Sequence, residues 1–558
     1  MLRQALPLAF ACTLGLGWAR DAAAQDYRSV PIGGRTATMG GAGIAAGNDS
    51  AMPYLNPAGL AGVPAGVLAL SATVYGYTRR EHERLFYPSG VAGDGVVSRK
   101  ETSSSQSTFE IPSSIVYFQP LDDPEARLGR VVGFGLVIPE AAETDLVASS
   151  ELEYSDPDVA TFNVENRQQL TLKNGRRVFY LGPTYAMRWG ERLRFGISLF
   201  AQYETSFASF AYGSRTTTAG GAYVVEKSLE TSDKSHAWSF VGVAGAQVEV
   251  VPHVWLGAVV QVPGLPLDGR STGNAAYAAS DLNDQGVPVD TSSSGVHDYV
   301  YAVPTPLRLG VGVAYEDRER FSVAADLHYH AAGPMAQVDG YDDVYETQTG
   351  DLPRRYTVHT DSESHRQHVV NLSIGVEVPL TPLLAVQGGV FTNNSYLPPL
   401  KSSWAAITRL DRVGGTAGLG VRLGAVETTF GGLLAFGHGR FGAMSSYADG
   451  ATAVPVPTRE VTVMALVSGS ISTEEAKQKI KEAVPFEFTS PDLPSGAPEA
   501  PANHEQGAGV RVAPTGATVT SAPSSSATSP SAPPPGQTQV EPSPEPPVPA
   551  PAAEGATP

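Results

Sequence analysis

The chain has 558 residues, one cysteine and a formal net charge of −18. The lone Cys12 excludes disulfide frameworks and thiolate metal sites, and the acidic balance argues against nucleic acid, whose binders carry a basic footprint. No segment reaches the roughly 18 apolar residues that a membrane helix needs.

Residues 1–24 read as a secretory signal peptide. Arg3 supplies the positive end, Leu6 to Trp18 the apolar run, and Ala22-Ala23-Ala24 the small-residue cleavage site. A lipoprotein site at Cys12 is the alternative, weakened by the very short apolar run before it. Next comes a stretch rich in small residues: Gly34-Arg35, Met39-Gly40-Gly41-Ala42, Asn48-Asp49-Ser50-Ala51 and Asn56-Pro57-Ala58-Gly59-Leu60. It is too rich in Gly and Ala for a core helix and too irregular for a strand, so residues 25–64 suggest a compact plug feeding a sheet.

From there the dominant period is two. Leu193, Phe195, Ile197, Leu199, Ala201 and Tyr203 alternate with mostly small or polar residues. The same dyad recurs from Leu307 to Tyr315 and from Val370 to Val378. Short turns at 189–192, around Pro252, at 316–320, 381–382 and 424–425 alternate with long polar stretches. Those lie near 80–106, 141–168, 207–235, 263–299, 331–364, 393–411 and 439–457. So many long structureless loops are rare in soluble domains. They suit a transmembrane barrel of about fourteen antiparallel strands over residues 65–472, with both chain ends on one side. Tyr117, Trp189, Trp255 and Tyr315 fall near the short turns, and Tyr77, Tyr203 and Tyr329 near the long ones, as two aromatic girdles would. Residues 473–489 open on a capped polar helix. Residues 490–558 are Pro-, Ala-, Ser- and Thr-rich and read as a disordered tail.

The run from Gly34 to Leu60 resembles the N-terminal hatch of the FadL/TodX (OmpP1) family of outer-membrane transporters of hydrophobic compounds. A Gly-Gly-Ala segment, a central Asp and Asn-Pro-Ala-Gly-Leu precede the first strand. The resemblance implies a fourteen-stranded barrel in the outer membrane of a Gram-negative bacterium, plugged from the periplasmic side. Val132-Gly133-Phe134-Gly135-Leu136 looks like the family's third strand, where a kink opens a lateral exit. One departure is the barrel end. Relatives finish on a terminal aromatic, whereas the last strand here reads Val467-Ser468-Gly469-Ser470 before a long tail, so Phe486 or Phe488 is an alternative end.

The implied function is passive uptake of hydrophobic molecules, long-chain fatty acids or hydrocarbons, by a monomer with no enzymatic step and no cofactor. Its partners would be those molecules, outer-membrane lipids, lipopolysaccharide and the barrel-assembly machinery. A platform for protein export or surface interaction, or an outer-membrane hydrolase, are the alternatives. Gly40, Gly41, Asn56, Pro57 and Ala58 are expected to gate, with Gly133 and Gly135 at the kink, unless they only pack the plug or make room in the lumen. Phe134 and Leu136 should face lipid. Phe200, Val259 and Phe391 break the polar-inside rule and could line a substrate path or touch the plug. Arg35, Arg194 and Arg308 could hold a ligand carboxylate or pair with Glu204 or Glu377. Asp326, His328 and His330 share a lumen face but are expected to hold no metal. The acidic run from Glu140 to Asp158 reads as a solvated loop that could bridge divalent ions to lipopolysaccharide.

Overall fold

A computed structural model describes residues 31–473, except 88–95, 124–125, 156–162, 219–223, 283–287, 318, 350–351, 401–407 and 446–452. The expected signal peptide, polar helix and tail, with Phe486 and Phe488, lie outside the described residues.

Strands β1 (Val67–His82), β3 (Val96–Pro120), β4 (Leu128–Ser155), β5 (Asn163–Trp189), β6 (Leu193–Thr218) and β7 (Val224–Val251) run antiparallel, each to the next. A two-residue β2 (Phe86–Tyr87) interrupts the series. The ring continues through β8 (Val254–Gln261), β11 (Arg308–Asp317), β12 (Phe321–His330), β15 (Val369–Thr381) and β16 (Leu384–Asn393). It finishes with β17 (Thr408–Leu423), β18 (Val426–Ser445) and β19 (Ala453–Ser472), and β19 pairs with β1 to close a barrel of fourteen staves. Closure removes every open edge that lipid could not satisfy.

The outward face is apolar between two aromatic belts. Phe134, Ile197, Leu199, Val311 and Leu372 are exposed on it. Trp189 marks the short-turn edge, while Phe179, Tyr203 and Trp238 stack side by side at the other, with centroids 6.1 and 4.6 Å apart. From Trp189 to Phe179 is one bilayer span, about ten residues. Trp255 corrects the girdle expected from sequence. It is buried, because Leu256 takes the outward position on β8 and leaves Trp255 facing the lumen.

The long polar stretches correct a second expectation, since much of their length is strand rather than structureless loop. β4 and β7 each run 28 residues, far more than a bilayer span of roughly ten. Beyond the belt the outward face becomes charged and is laced by cross-strand pairs, Asp145–Lys173 at 3.5 Å and Arg215–Glu226 at 3.2 Å. The inward face keeps an apolar cluster, with Leu146, Leu170, Leu172, Phe210 and Leu229 buried among polar residues such as Gln168, Asn174 and Thr231. A polar outer face on a continuing strand looks like a loop when only the membrane-type alternation is sought.

On the other side the staves break near the belt. β9 (Leu265–Leu282) continues β8, β10 (Pro288–Ala302) continues β11, β13 (Gly333–Thr349) continues β12, and β14 (Leu352–Arg366) continues β15. Pro263, Pro304 and Pro306 sit in two of these breaks, where a missing N–H ends the ladder.

Candidate functional site

The N-terminal segment lies inside the ring, touching the wall on all sides. Its elements are α1 (Arg35–Thr38), α2 (Met52–Leu55) and a 3-10 turn (Pro57–Gly62). Gly40 and Gly41 adopt φ of 69° and 83°, a left-handed geometry that glycine takes at no steric cost. Asp49 folds the segment on itself, its carboxylate accepting from the Thr36 N–H at 2.8 Å, the Thr36 hydroxyl at 3.0 Å and the Ala51 N–H at 3.1 Å. The Asn56 side chain accepts from the Ala58 N–H at 3.1 Å and donates to the Ile44 carbonyl at 2.7 Å, tying the middle of the segment to the turn before β1. Pro57 and Ala58 press on Gly196 of β6, where any Cβ would collide with their backbone. Gly40 lies just as close to Gly389.

The two sides of the segment are held differently. Toward β11–β18 small apolar packing is joined by an ion pair and amide hydrogen bonds. Arg35 pairs with Glu377 at 3.0 Å and with Glu316 at 3.7 Å. Asp326 accepts from the Gly43 and Ile44 amides at 2.6 and 2.9 Å. Thr416 accepts from the Gly40 amide at 2.9 Å and donates to the Thr38 carbonyl at 2.7 Å. Toward β3–β8 the contacts are apolar, with Ile44, Met52, Tyr54, Leu55 and Leu60 joining Phe118, Val137, Tyr180, Phe200 and Val259 in one buried cluster. Phe200 and Val259 therefore touch the N-terminal segment, and Phe391 packs beside Ala37, Leu433 and Met464.

Above this floor runs a collar of charge. Arg176 bridges Glu140 at 2.9 Å and Glu204 at 2.9 and 2.8 Å, and donates to the Tyr396 hydroxyl at 3.2 Å. Glu460 takes Arg80 at 2.6 Å and also Arg412. Arg366 stacks on Tyr396 at 4.9 Å. Sequence reasoning named Glu204 as a partner for Arg35, Arg194 or Arg308. Its partner is Arg176, while Arg194 stacks on Trp255 at 4.1 Å and Arg308 on Tyr54 at 4.2 Å. Tyr54 and Leu55 floor two small cavities lined by Glu140, Arg176, Gln202 and Thr305 on one side and by Arg308, His328 and His330 on the other. Asp326 of the expected trio is turned instead to the Gly43 and Ile44 amides. Glu140 is likewise a buried ion-pair partner rather than part of a solvated loop.

Between β3 and β4 the wall loses its ladder over one stretch. The β3–β4 ladder joins Ser114–Pro120 to Val131–Val137, and resumes where Ser105 meets Leu146. Among the described residues, 106–113 and 138–145 form no ladder pairs with each other. Gly133 and Gly135 sit below it in continuous ladder, paired on both sides, with Phe134 exposed and Leu136 half-buried on the outer face. Three neighbouring staves shift register at this height: β1 between Thr73 and Tyr75, β3 near Pro112, and β4 between Val137 and Glu140. Pro112 and Pro139 remove donors there. Ile138 and Ala141 are buried at this height, packed with Leu136 and Phe179, and Glu140 beside them faces the collar.

Fold and lumen together define a membrane-spanning β-barrel blocked by its own N-terminal segment. No family model matches the chain, and no curated protein does. Among solved structures it is similar to a Pseudomonas aeruginosa FadL homologue, at 13% identity and a TM-score of 0.49, covering 80% of this chain and 99% of that one. It is also similar to the P. putida toluene transporter TodX (16%, TM-score 0.47, 79% and 98%) and the Ralstonia pickettii toluene transporter TbuX (14%, TM-score 0.44, 79% and 98%).

Proposed function

We propose that the chain is an outer-membrane channel for passive uptake of hydrophobic molecules, with its short turns toward the periplasm. The N-terminal segment acts as a hatch, and the solute leaves sideways between β3 and β4. The seam carries this reading. The floor is sealed by the hatch, while the wall beside Glu140 lacks its ladder and is packed there by Ile138 and Ala141. An apolar solute gains nothing from a water-filled pore, but a lateral opening delivers it straight into hydrocarbon. No step of this path makes or breaks a covalent bond.

The test is uptake of labelled toluene and oleate by vesicles or cells carrying the protein, with Ala141→Trp to block the seam. Uptake should fall at least tenfold in the variant while heat-modifiable migration shows the barrel intact. Undiminished uptake would overturn the lateral route, and no uptake by the unaltered protein would overturn the channel.

A further inference from the structure

The upper barrel holds a second apolar core that neither the hatch nor the seam uses. Leu170 and Leu172 of β5, Phe210 of β6 and Phe441 of β18 converge there, beyond the belt of Phe179, Tyr203 and Trp238. The core surrounds Leu85 and Phe86, both 0% exposed. Those two residues belong to no stave. They follow the exposed Glu83 and Arg84 at the end of β1 and cross the mouth, with the Glu83 amide donating to the Pro457 carbonyl at 3.1 Å. Phe86 then pairs with Met444 in a two-residue ladder, the barrel's one parallel pairing among the described residues. The Leu85 amide donates to a Glu101 carboxylate oxygen at 2.6 Å.

We propose that this chamber is the first binding site for the solute, of the class of uncharged monoaromatic hydrocarbons, and that Leu85–Phe86 is the internal ligand it displaces. Three observations carry this. A contiguous apolar cluster persists beside buried polar residues such as Gln168 in a part of the barrel that stands in water, where an all-polar lumen would cost nothing. The occupant presents one aromatic ring and one branched alkyl group on a short strap, so the space is shaped to a phenyl ring. The charged collar below separates this core from the hatch core, which makes it the apolar surface that a solute entering from the hairpin end meets first. The proposal rests on the channel reading for its direction of travel, but binding in the chamber is independent of uptake.

The test places a spin label at Glu83→Cys in a Cys12→Ser background, in lipid nanodiscs, and titrates toluene. The label should pass from slow to fast motion with saturation. The half-saturating concentration should drop several-fold in Phe86→Ala and rise several-fold in Phe210→Gln, with heat-modifiable migration retained. An unchanged spectrum up to the aqueous solubility limit of toluene would overturn the proposal whether or not vesicles take toluene up. Release of the label without uptake would confirm the site and sink the channel reading instead.

Discussion

The barrel is filled twice by its own chain, and the two fillings are built on different terms. The hatch meets the wall backbone to backbone at Gly196 and Gly389, and its amides are claimed by Asp326 and Thr416. Leu85–Phe86 offers mainly side-chain area to a surrounding apolar wall, joined to the strands by a two-residue ladder. Shifting the hatch strands buried donors and an ion pair, whereas lifting Leu85–Phe86 exposes apolar surface that an incoming hydrocarbon can cover again. A filling that adds buried hydrogen bonds and an ion pair to its apolar packing is specific and fixed. One held by burial can be exchanged for any molecule of similar shape.

The largest expected effect falls on the hatch. Arg35→Ala leaves Glu377 and Glu316 facing each other in the lumen without their cation, and breaking a buried pair costs roughly 3–5 kcal/mol. Denaturant unfolding should report that loss, and single-channel recordings should show a leak if the hatch no longer seats. Gly196→Val comes next. Its side chain drives into the Pro57 carbonyl carbon, an overpacking cost of about 1–3 kcal/mol. Rapid amide exchange from Ala51 to Gly62 with an intact outer core would show that the two fillings are independent. Simultaneous loosening at Phe86 would merge them.

Glu101→Gln should be milder, weakening the Leu85 amide bond by about 1 kcal/mol. The strap should then loosen while the hatch keeps its exchange protection. The smallest effect lies at a short turn outside both fillings. Hydrogen bonds from the Arg130 side chain and amide hold the Asp122 carboxyl down to about 2. A depressed carboxylate supports the folded turn above its ordinary pKa of about 4 and loses that support as pH falls through about 2. The turn is open to solvent, so the change should appear as faster exchange of the Arg130 amide at low pH, absent in Asp122→Asn, with no change at Gly43 or Leu85.

The sequence carried the framework well and the lumen poorly. Strand count and turn positions follow from a period-two pattern, which is local. The Arg35–Glu377 pair was within reach because both residues stood out as charges on small or apolar faces. Arg176 with Glu140, Glu204 and Tyr396 was not, since these come from four elements and only strand register brings them together. Trp255 was misplaced because an aromatic near a short turn suits a girdle equally well facing in or out until the parity of β8 is known. Leu85 and Phe86 sit in a polar stretch with no periodicity, so only the packed barrel shows why two apolar residues stand there.

The register shift in β4 does more than leave a seam. Before it, Val131, Val137 and Gly135 face inward; after it, Thr144, Leu146, Ala148 and Ser150 do. The inward set passes from odd to even numbers within the few residues around Pro139. The same residues held in strict alternation would turn Leu146 and Ala148 out to water and leave Phe86 without that wall. Side door and upper core thus meet in one bulge around Pro139.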